Sequence, residues 1–159
     1  MRIALFEPDI AANVGTIIRL GACMAVAIDI IEPCGFPFGD AAFRRAGMDY
    51  LNNANVTRHA SWEKFRNANT NRLVLATTKS SRPYTTFQFG ENDTLLLGRE
   101  TAGVTDEVSL ACNGMVCIPM HAGMRSLNVA VAGAMIIGEM LRQTSNTQSA
   151  QGGVTAWMT

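Results

Sequence analysis

Residues 118–128 carry the side chains best suited to chemistry on a bound ligand. A proline, a histidine, a glycine, an arginine, a serine and an asparagine occur here, between two apolar runs. The run at residues 115–118 predicts a buried strand, and the run at residues 127–141 predicts a helix. Loops that lead from a strand to a helix are where α/β proteins bind ligands. Residues 118–128 are therefore the first candidate for a binding loop.

Two further predicted strands end in polar loops. Residues 72–77 lead into a Thr-Lys pair, and residues 93–98 lead into an Arg-Glu pair. The carboxyl ends of parallel strands lie at one edge of a sheet, so we expect the three loops to share one pocket. Backbone donors and acceptors would dominate it, which suits a polar, partly aromatic small molecule. Neither GxGxxG after the first strand nor GxxxxGK[ST] occurs in the sequence, so standard dinucleotide and P-loop sites are not expected.

Alternating strands and helices must position these loops. Apolar runs predict further strands at residues 2–6 and 27–31, and residues 55–59 are a candidate for a brief strand. Helices are predicted at residues 12–25 (with Asn13 as N-cap), 40–46, 61–69 (with Ser61 as N-cap) and 105–112. The order strand, helix, strand predicts an α/β fold with a parallel sheet and right-handed crossovers.

The composition is that of an ordered globular protein with one domain. The chain has 159 residues, of which 48% are hydrophobic and 16% charged. We predict a single domain over residues 1–142, followed by a polar tail at residues 143–159. The low charged fraction is a weak indication of a subunit interface.

Several classes of protein are not expected from the composition. No apolar run reaches the length of a membrane span, and the first strand is followed at once by acidic residues, unlike a signal peptide. The four cysteines show no CxxC spacing and no adjacent histidine cluster, so we expect no metal site. Reduced thiols in a cytoplasmic protein are the simplest interpretation.

Charge is unevenly distributed along a chain whose net charge is zero. Residues 41–90 carry eight basic and two acidic side chains, whereas both flanking segments are net acidic. A basic block in a neutral chain can form a phosphate-binding face. An ordinary solvated surface gives the same pattern, and both interpretations stay open.

Five segments resemble the SPOUT RNA 2′-O-methyltransferases. Residues 13–19 resemble their Asn-x-Gly-x-x-x-Arg motif, residues 97–103 their Gly-x-Glu-x-x-Gly motif, and residues 118–120 with 125–128 their third motif. Residues 31–36 and 44–50 resemble the subgroup that modifies the wobble nucleotide of tRNA. The match runs in order from residue 2 to about residue 142 with little insertion.

The resemblance implies a fold, a cofactor and a reaction. The fold is a parallel sheet with helices on both faces and a deep trefoil knot near the C-terminus. The cofactor is S-adenosylmethionine, held largely by main-chain groups around Ala76, Gly98, Ile118 and Ser126. The reaction is methyl transfer to the ribose 2′-OH of the wobble nucleotide of tRNA, cytidine 34 or a modified uridine 34. The family also forms homodimers, with the cofactor site near the subunit interface.

Two residues of the first motif are catalytic candidates. The family assigns activation of the 2′-OH to the arginine that matches Arg19. We expect it to polarise the hydroxyl by hydrogen bonding, because a guanidinium with a pKa above ~12 is a poor base. A surface arginine is the structural alternative for Arg19. Asn13 is an active-site candidate whose structural alternative is the N-cap. No metal is needed for this reaction.

Four residues are candidates for RNA contacts: Arg44, Arg45, Arg125 and Asn128. The three arginines would meet phosphates, although a pair on a helix surface often has no partner of this kind. Asn128 either orders its loop or approaches the ribose, and Ser126 can also cap the last helix. For Glu100 we favour a structural role over a cofactor contact. Neither histidine is given a role.

Alternatives to the tRNA enzyme remain open. The chain could be a SPOUT methyltransferase for another RNA, a catalytically weak RNA-binding dimer, or an unrelated nucleotide-binding domain. One departure from the family bears on the first two, because Gly138 precedes Glu139 where the family commonly has an aromatic residue.

Overall fold

The described part of the chain contains six strands, all parallel. The computed structural model describes residues 1–37 and 53–145. The strands are β1 (Arg2–Phe6), β2 (Ala27–Ile31), β3 (Val56–His59), β4 (Leu73–Ala76), β5 (Thr94–Leu97) and β6 (Gly114–Val116). All six predicted strands are confirmed, with their ends displaced by at most two residues.

The strand order places a crevice at the centre of the sheet. The order is β3-β2-β1-β5-β4-β6, and every pairing is parallel. From β1 the chain first builds one side of the sheet and then crosses to build the other. The direction therefore changes between β1 and β5, and α/β sheets bind ligands outside the carboxyl ends of the strands at such a point.

Helices cover both faces of the sheet. They are α1 (Ala11–Met24), α2 (Trp62–Ala68), α3 (Asp106–Leu110) and α4 (Val129–Ser145), and a 3₁₀ turn forms at Tyr84–Thr86. The larger core cluster lies under α1 and α4, and the smaller one under α2 and α3. Burial on both faces explains why the inner strands β1, β2, β4 and β5 are nearly continuous apolar runs, whereas the edge strand β3 is more polar. The predicted helix at residues 40–46 lies outside the described residues.

Helix termini show where local sequence signals are sufficient. The prediction of Ser61 as an N-cap is confirmed, because its Oγ accepts a hydrogen bond from the Lys64 N–H at 3.3 Å. The prediction of Asn13 as an N-cap is wrong. Helix α1 begins at Ala11, so the cap position is Ile10, three residues before Asn13, and no side chain bonds there. The side chain of Asn13 is engaged elsewhere, in contacts at the edge of the sheet.

The last helix extends past the predicted domain boundary. Gln143 bonds the segment beside it through both ends of its amide, donating to the Phe87 carbonyl at 3.0 Å and accepting from the Phe89 N–H at 2.9 Å. The Thr144 hydroxyl donates to the Met140 carbonyl at 2.8 Å. These bonds hold the final turn of α4, so residues 143–145 are helical. Residues 146–159 of the predicted tail lie outside the described residues.

A buried ionic cluster joins the strands on one side of the sheet. Asp29 is 3% exposed and accepts two hydrogen bonds from Arg2, at 2.6 and 2.8 Å. It also lies 2.8 Å from Nε2 of His59, whose ring packs edge-on against Phe65. His59 is thus a structurally satisfied histidine. None of the helices in the described ranges is long and apolar enough to cross a membrane.

Candidate functional site

A cavity of about 610 Å³ opens at the carboxyl edge of the sheet. Its wall is built from the loops after β4, β5 and β6, together with the start of α1 and the first turns of α4. The volume lies within the usual ~300–1,000 Å³ of small-molecule sites. The prediction that the three polar loops share one pocket is therefore confirmed.

The four residues predicted to bind the cofactor all lie in the wall of this cavity: Ala76, Gly98, Ile118 and Ser126. The first three are half-buried, and Ser126 is exposed at the rim. Each comes from a different loop or from a different part of the third loop. The structure therefore brings these positions together, although their contacts with a ligand stay a prediction.

Gly98 is required by a close approach of the backbone. A Cβ atom at this position would lie 2.7 Å from the carbonyl carbon of Gly103. The loop between them is closed by two hydrogen bonds of 2.9 Å that Arg99 and Gly103 exchange through their backbones. Gly103 has φ of 69°, a conformation that glycine adopts without strain. Both glycines of the second motif thus shape the turn that forms one wall of the cavity.

A line of hydrogen bonds joins the loops around the cavity. The side-chain amide of Asn128 donates to Oδ1 of Asn13 at 2.9 Å, and the amide of Asn13 donates to Oε1 of Glu100 at 2.8 Å. Oε2 of Glu100 accepts a bond from the backbone N–H of Asp9 at 2.9 Å. We call this line the Asn–Asn–Glu relay. It connects the starts of α4 and α1 with the loops after β5 and β1.

The relay explains the positions of its two asparagines. Asn13 is 8% exposed, so its amide must find partners inside the protein. Asn128 also caps α4, since its Oδ1 accepts bonds from the N–H groups of Ala130 and Val131 at 2.9 and 3.3 Å. The expectation that Ser126 caps this helix is therefore wrong. The structural role favoured for Glu100 matches its two contacts.

An ion pair beside the relay holds the loops after β1 and β5 together. Oδ1 of Asp9 accepts from Arg99 at 2.8 and 3.2 Å, and its Oδ2 accepts from the Thr101 hydroxyl at 2.6 Å. Glu7 lies 3.4 Å from the same guanidinium. The Arg99 guanidinium, followed by the Thr101 hydroxyl, lowers the pKa of Asp9 below its ordinary value. Asp9 therefore stays ionised at neutral pH and keeps this contact.

The remaining predicted residues occupy different places. Arg125 and Asn128 lie in the cavity wall. Arg19 lies on the exposed face of α1 and is not part of that wall. Arg19 follows Asn13 by six positions in the sequence. Six positions correspond to about 9 Å along a helix axis. Arg44 and Arg45 lie outside the described residues.

Known proteins share both the sequence and this architecture. The model of the SpoU rRNA Methylase family matches residues 1–138. The chain belongs to the SpoU rRNA methylase family. A tRNA (cytidine(34)-2′-O)-methyltransferase of Ancylobacter novellus is 54% identical over 147 residues, covering 91% of this chain and 93% of the relative. The resemblance to the SPOUT RNA 2′-O-methyltransferases is thus confirmed.

Two solved structures agree with this assignment. One concerns the 2-OH methylation of C/U34 on tRNA, with a TM-score of 0.84, 30% identity, and coverage of 89% of this chain and 94% of the other. The other is an AdoMet-bound rRNA methyltransferase from Sinorhizobium meliloti, with a TM-score of 0.79, 27% identity, and coverage of 89% and 55%.

Two of the four thiols of this SpoU family member are held in the protonated form by burial. All four cysteines are free. Burial raises the pKa of Cys34 and of Cys112 to about 11, so both are protonated at neutral pH. Within residues 1–37 and 53–145, no group of three or more His, Cys, Asp or Glu side chains could hold a metal ion.

Sequence reasoning missed Asp9 and Thr101. Asp9 contacts Arg99 and Thr101 of the second motif across 90 or more residues of chain, and this proximity depends on the pairing of β1 with β5. The available signal was the charged residue between Gly98 and Glu100, since a cation in a tight loop needs an acidic partner nearby.

Replacing Asn13 tests the relay. Asn13→Ala leaves Glu100 and Asn128 each without one hydrogen-bond partner in a partly buried site. We expect the free energy of unfolding to fall by about 1–3 kcal/mol, measured by chemical denaturation at fixed protein concentration.

Thr16→Ala is the matched control, one turn further along α1. Its exposed hydroxyl bonds only the Ala12 carbonyl in the described structure. We expect that control to stay within about 0.5 kcal/mol of wild type. Equal losses in the two variants would show that the relay contributes no more than a surface hydroxyl.

Proposed function

We propose that the chain is an S-adenosylmethionine-dependent methyltransferase that modifies the ribose 2′-OH of nucleotide 34 of tRNA. The supporting observation is the 54% identity, over 91% of this chain, to a relative named for that reaction on cytidine 34. The loops that build the cavity fall within the matched family region, residues 1–138. We include a modified uridine 34 as a second substrate. We propose the cytoplasm as the compartment in which the enzyme acts.

The cavity fits the cofactor that we propose. Ala76, Gly98 and Gly103 bring no bulky side chain to the wall at their own positions, which leaves backbone groups there accessible to a polar ligand. We assign binding to the backbone at Ala76, Gly98 and Ile118, with Ser126 at the rim. S-Adenosylmethionine would supply an already activated, electrophilic methyl group.

Because the donor is activated, the chain has to orient the ribose and ease the proton from its hydroxyl. Orientation alone can supply up to ~7–11 kcal/mol of a barrier. We assign the polarisation of the 2′-OH to a hydrogen bond from Arg19, which stays protonated. We assign Asn13 to holding the cavity wall, because its side-chain amide already bonds both Glu100 and Asn128.

The position of Arg19 supports a dimeric active site. It lies outside the wall of the cavity within its own chain, so we propose that a second copy of the chain brings it to the site. Helices α1 and α4 pack side by side, and α4 exposes Val131 (49%) and Met135 (39%) on one face with Gly138. A Cβ atom at Gly138 would meet nothing within 4 Å. This open apolar face is the surface that we assign to the homodimer.

We also propose the trefoil knot, within a single domain that covers residues 1–142 and the end of α4. After the edge strand β6, the chain returns past the loops that follow β4 and β5. It then packs α4 against α1 and β5 near the centre of the sheet. This return path is compatible with threading through the earlier loops.

Methylation of tRNA followed by nucleoside mapping tests the function. We expect one 2′-O-methyl group at nucleotide 34. Methylation of rRNA without methylation of tRNA would favour a methyltransferase that acts on another RNA. Cofactor binding without any methylated RNA would favour an RNA-binding module.

Arg19→Ala separates chemistry from cofactor binding. We expect turnover to fall about 10²–10³-fold, as when a hydrogen bond to a developing oxyanion is lost, while calorimetry gives unchanged S-adenosylmethionine affinity. The control is Arg66→Ala, on α2 at the other face of the sheet. Wild-type turnover in Arg19→Ala would refute the catalytic role.

Met135→Glu tests the dimer surface. A buried carboxylate without a partner is costly, so we expect light scattering to show a monomer or a strongly weakened dimer. Leu110→Glu is the control, because Leu110 is 87% exposed on α3 at the opposite face. A dimer of unchanged strength in Met135→Glu would remove α4 from the interface.

Pulling the chain by its ends tests the knot. A knotted chain stops short of the fully extended length of about 3.3–3.6 Å per residue, because the knot tightens. Handles at Met1 and Asn113 exclude the returning segment, so the chain between those two handles should extend completely. Full extension with handles at the two chain ends, as well as with handles at Met1 and Asn113, would show that the chain is unknotted.

A further inference from the structure

Five basic side chains of the described structure are paired with carboxylates. The carboxylate pairs are Arg2 with Asp29, Arg58 with Glu32, Arg72 with Asp93, Arg99 with Asp9 and Arg142 with Glu139. Arg66 and Arg82 lie over the rings of Trp62 and Phe87. Among residues 1–37 and 53–145, the exposed Lys64, Lys79 and Arg125 have neither an ion pair nor a ring contact.

Two of these three cations lie on the same cavity. Lys79, in the loop after β4, and Arg125, in the loop before α4, both line its wall. Lys64 lies on α2, which packs on the other face of the sheet. The uncompensated positive charge of the cavity therefore comes from two separate loops.

The backbone that carries Lys79 is firmly held. The Ser80 hydroxyl donates to the Met115 carbonyl at 3.1 Å and accepts from the Arg82 N–H at 3.1 Å. The Thr77 N–H donates to the Val116 carbonyl at 2.9 Å. Both flanks of Lys79 are thus fixed against β6, while its side chain projects from an exposed position. The ammonium group can move, but only about a fixed point on the rim.

The acidic residues of the wall limit the part of the cavity that an anion can approach without electrostatic repulsion. Glu100 is occupied by Asn13 and by the Asp9 N–H. Asp106 is exposed in the first turn of α3 and would repel an anion on its side. A polyanion that reaches the cavity is therefore favoured next to Lys79 and Arg125.

The chemistry of the proposed reaction calls for such a pair. A ribose inside an RNA chain has a phosphate on each side, and the 2′-OH is adjacent to the 3′-phosphate. A ribose presented at the mouth of the cavity necessarily brings two negative charges to its rim. Phosphate contacts of this kind fix the register of a nucleic acid without reading its sequence.

We propose that Lys79, together with Arg125, binds the phosphates that flank the target nucleotide and so fixes its ribose at the cavity. This inference rests on the proposed function, and it adds Lys79 as a substrate-binding residue. The same cation could instead attract the carboxylate of the cofactor, and measurements with RNA and with the cofactor distinguish the two ligands.

The test measures RNA affinity as a function of salt. The probe is a tRNA anticodon stem–loop with 2′-deoxycytidine at position 34, which keeps the phosphates but cannot accept a methyl group. Each phosphate contact contributes ~0.7 to the slope of log K against log salt concentration for single strands. We expect Lys79→Ala and Arg125→Ala each to lower the slope by about that amount, and the double variant by about twice that amount.

Three controls complete the experiment. Lys64→Ala removes another exposed and unpaired lysine, on the other face of the sheet, so its slope should equal that of wild type. Lys79→Arg should restore the slope that is lost in Lys79→Ala, because it restores the charge. Calorimetry with S-adenosylmethionine should give the wild-type affinity for every variant.

The outcomes separate this inference from the proposed function. A wild-type slope in Lys79→Ala, or an equal loss in Lys64→Ala, overturns the inference while methylation of tRNA by the wild type leaves the function intact. Weaker cofactor binding with an unchanged RNA slope assigns Lys79 to the cofactor carboxylate and also overturns it. A wild type that neither binds the stem–loop nor methylates tRNA overturns both.

Discussion

The site depends on the partly buried hydrogen bonds from Asn128 through Asn13 to Glu100. Asn128 and Asn13 are 115 positions apart in the chain, and Asn13 and Glu100 are 87 positions apart. The donor–acceptor distance of each hydrogen bond is nevertheless shorter than 3 Å. A buried amide or carboxylate that loses its partner costs more free energy than a formed bond contributes. The relay therefore acts as a constraint on position, since the loops can separate only by leaving polar groups unsatisfied.

This constraint matters for a reaction in which the donor is already activated. Such a reaction gains most from orientation, and orientation requires that the walls of the cavity hold their spacing. The relay fixes the start of α4 against α1, and the Asp9–Arg99 pair fixes the loop after β5 against the loop after β1. Gly98 and Gly103 then allow this loop to turn closely enough to form a wall. The rigidity of the site comes from the contacts between its loops.

Much of the fold could be predicted from the sequence because burial on both faces of a parallel sheet produces continuous apolar runs. The three loops at one edge followed from the same reasoning. The error at Asn13 shows the limit. Its type and place before an apolar helix are those of an N-cap, but Glu100 and Asn128 engage its amide. Local helix propensity cannot predict the contact with Glu100, because only the pairing of β1 with β5 brings Glu100 near Asn13. The prediction for Arg19 has a different limit. In the proposed dimer Arg19 reaches the cavity of a second chain, and a single chain does not contain that contact.

Net charge is a poor guide to nucleic-acid binding in this protein. The sum of zero argued against an RNA partner, and the basic block at residues 41–90 argued for one. Within the described residues, Arg58 and Arg72 of that block are paired with carboxylates, so they add little to the field at a distance. Lys79 belongs to the same block, is unpaired and lines the cavity, as does Arg125 from outside the block. Attraction for a polyanion falls off within about 10 Å at 0.1 M salt. In the proposed mode of binding, a few uncompensated cations at the rim therefore select where RNA binds, whatever the charge of the whole chain.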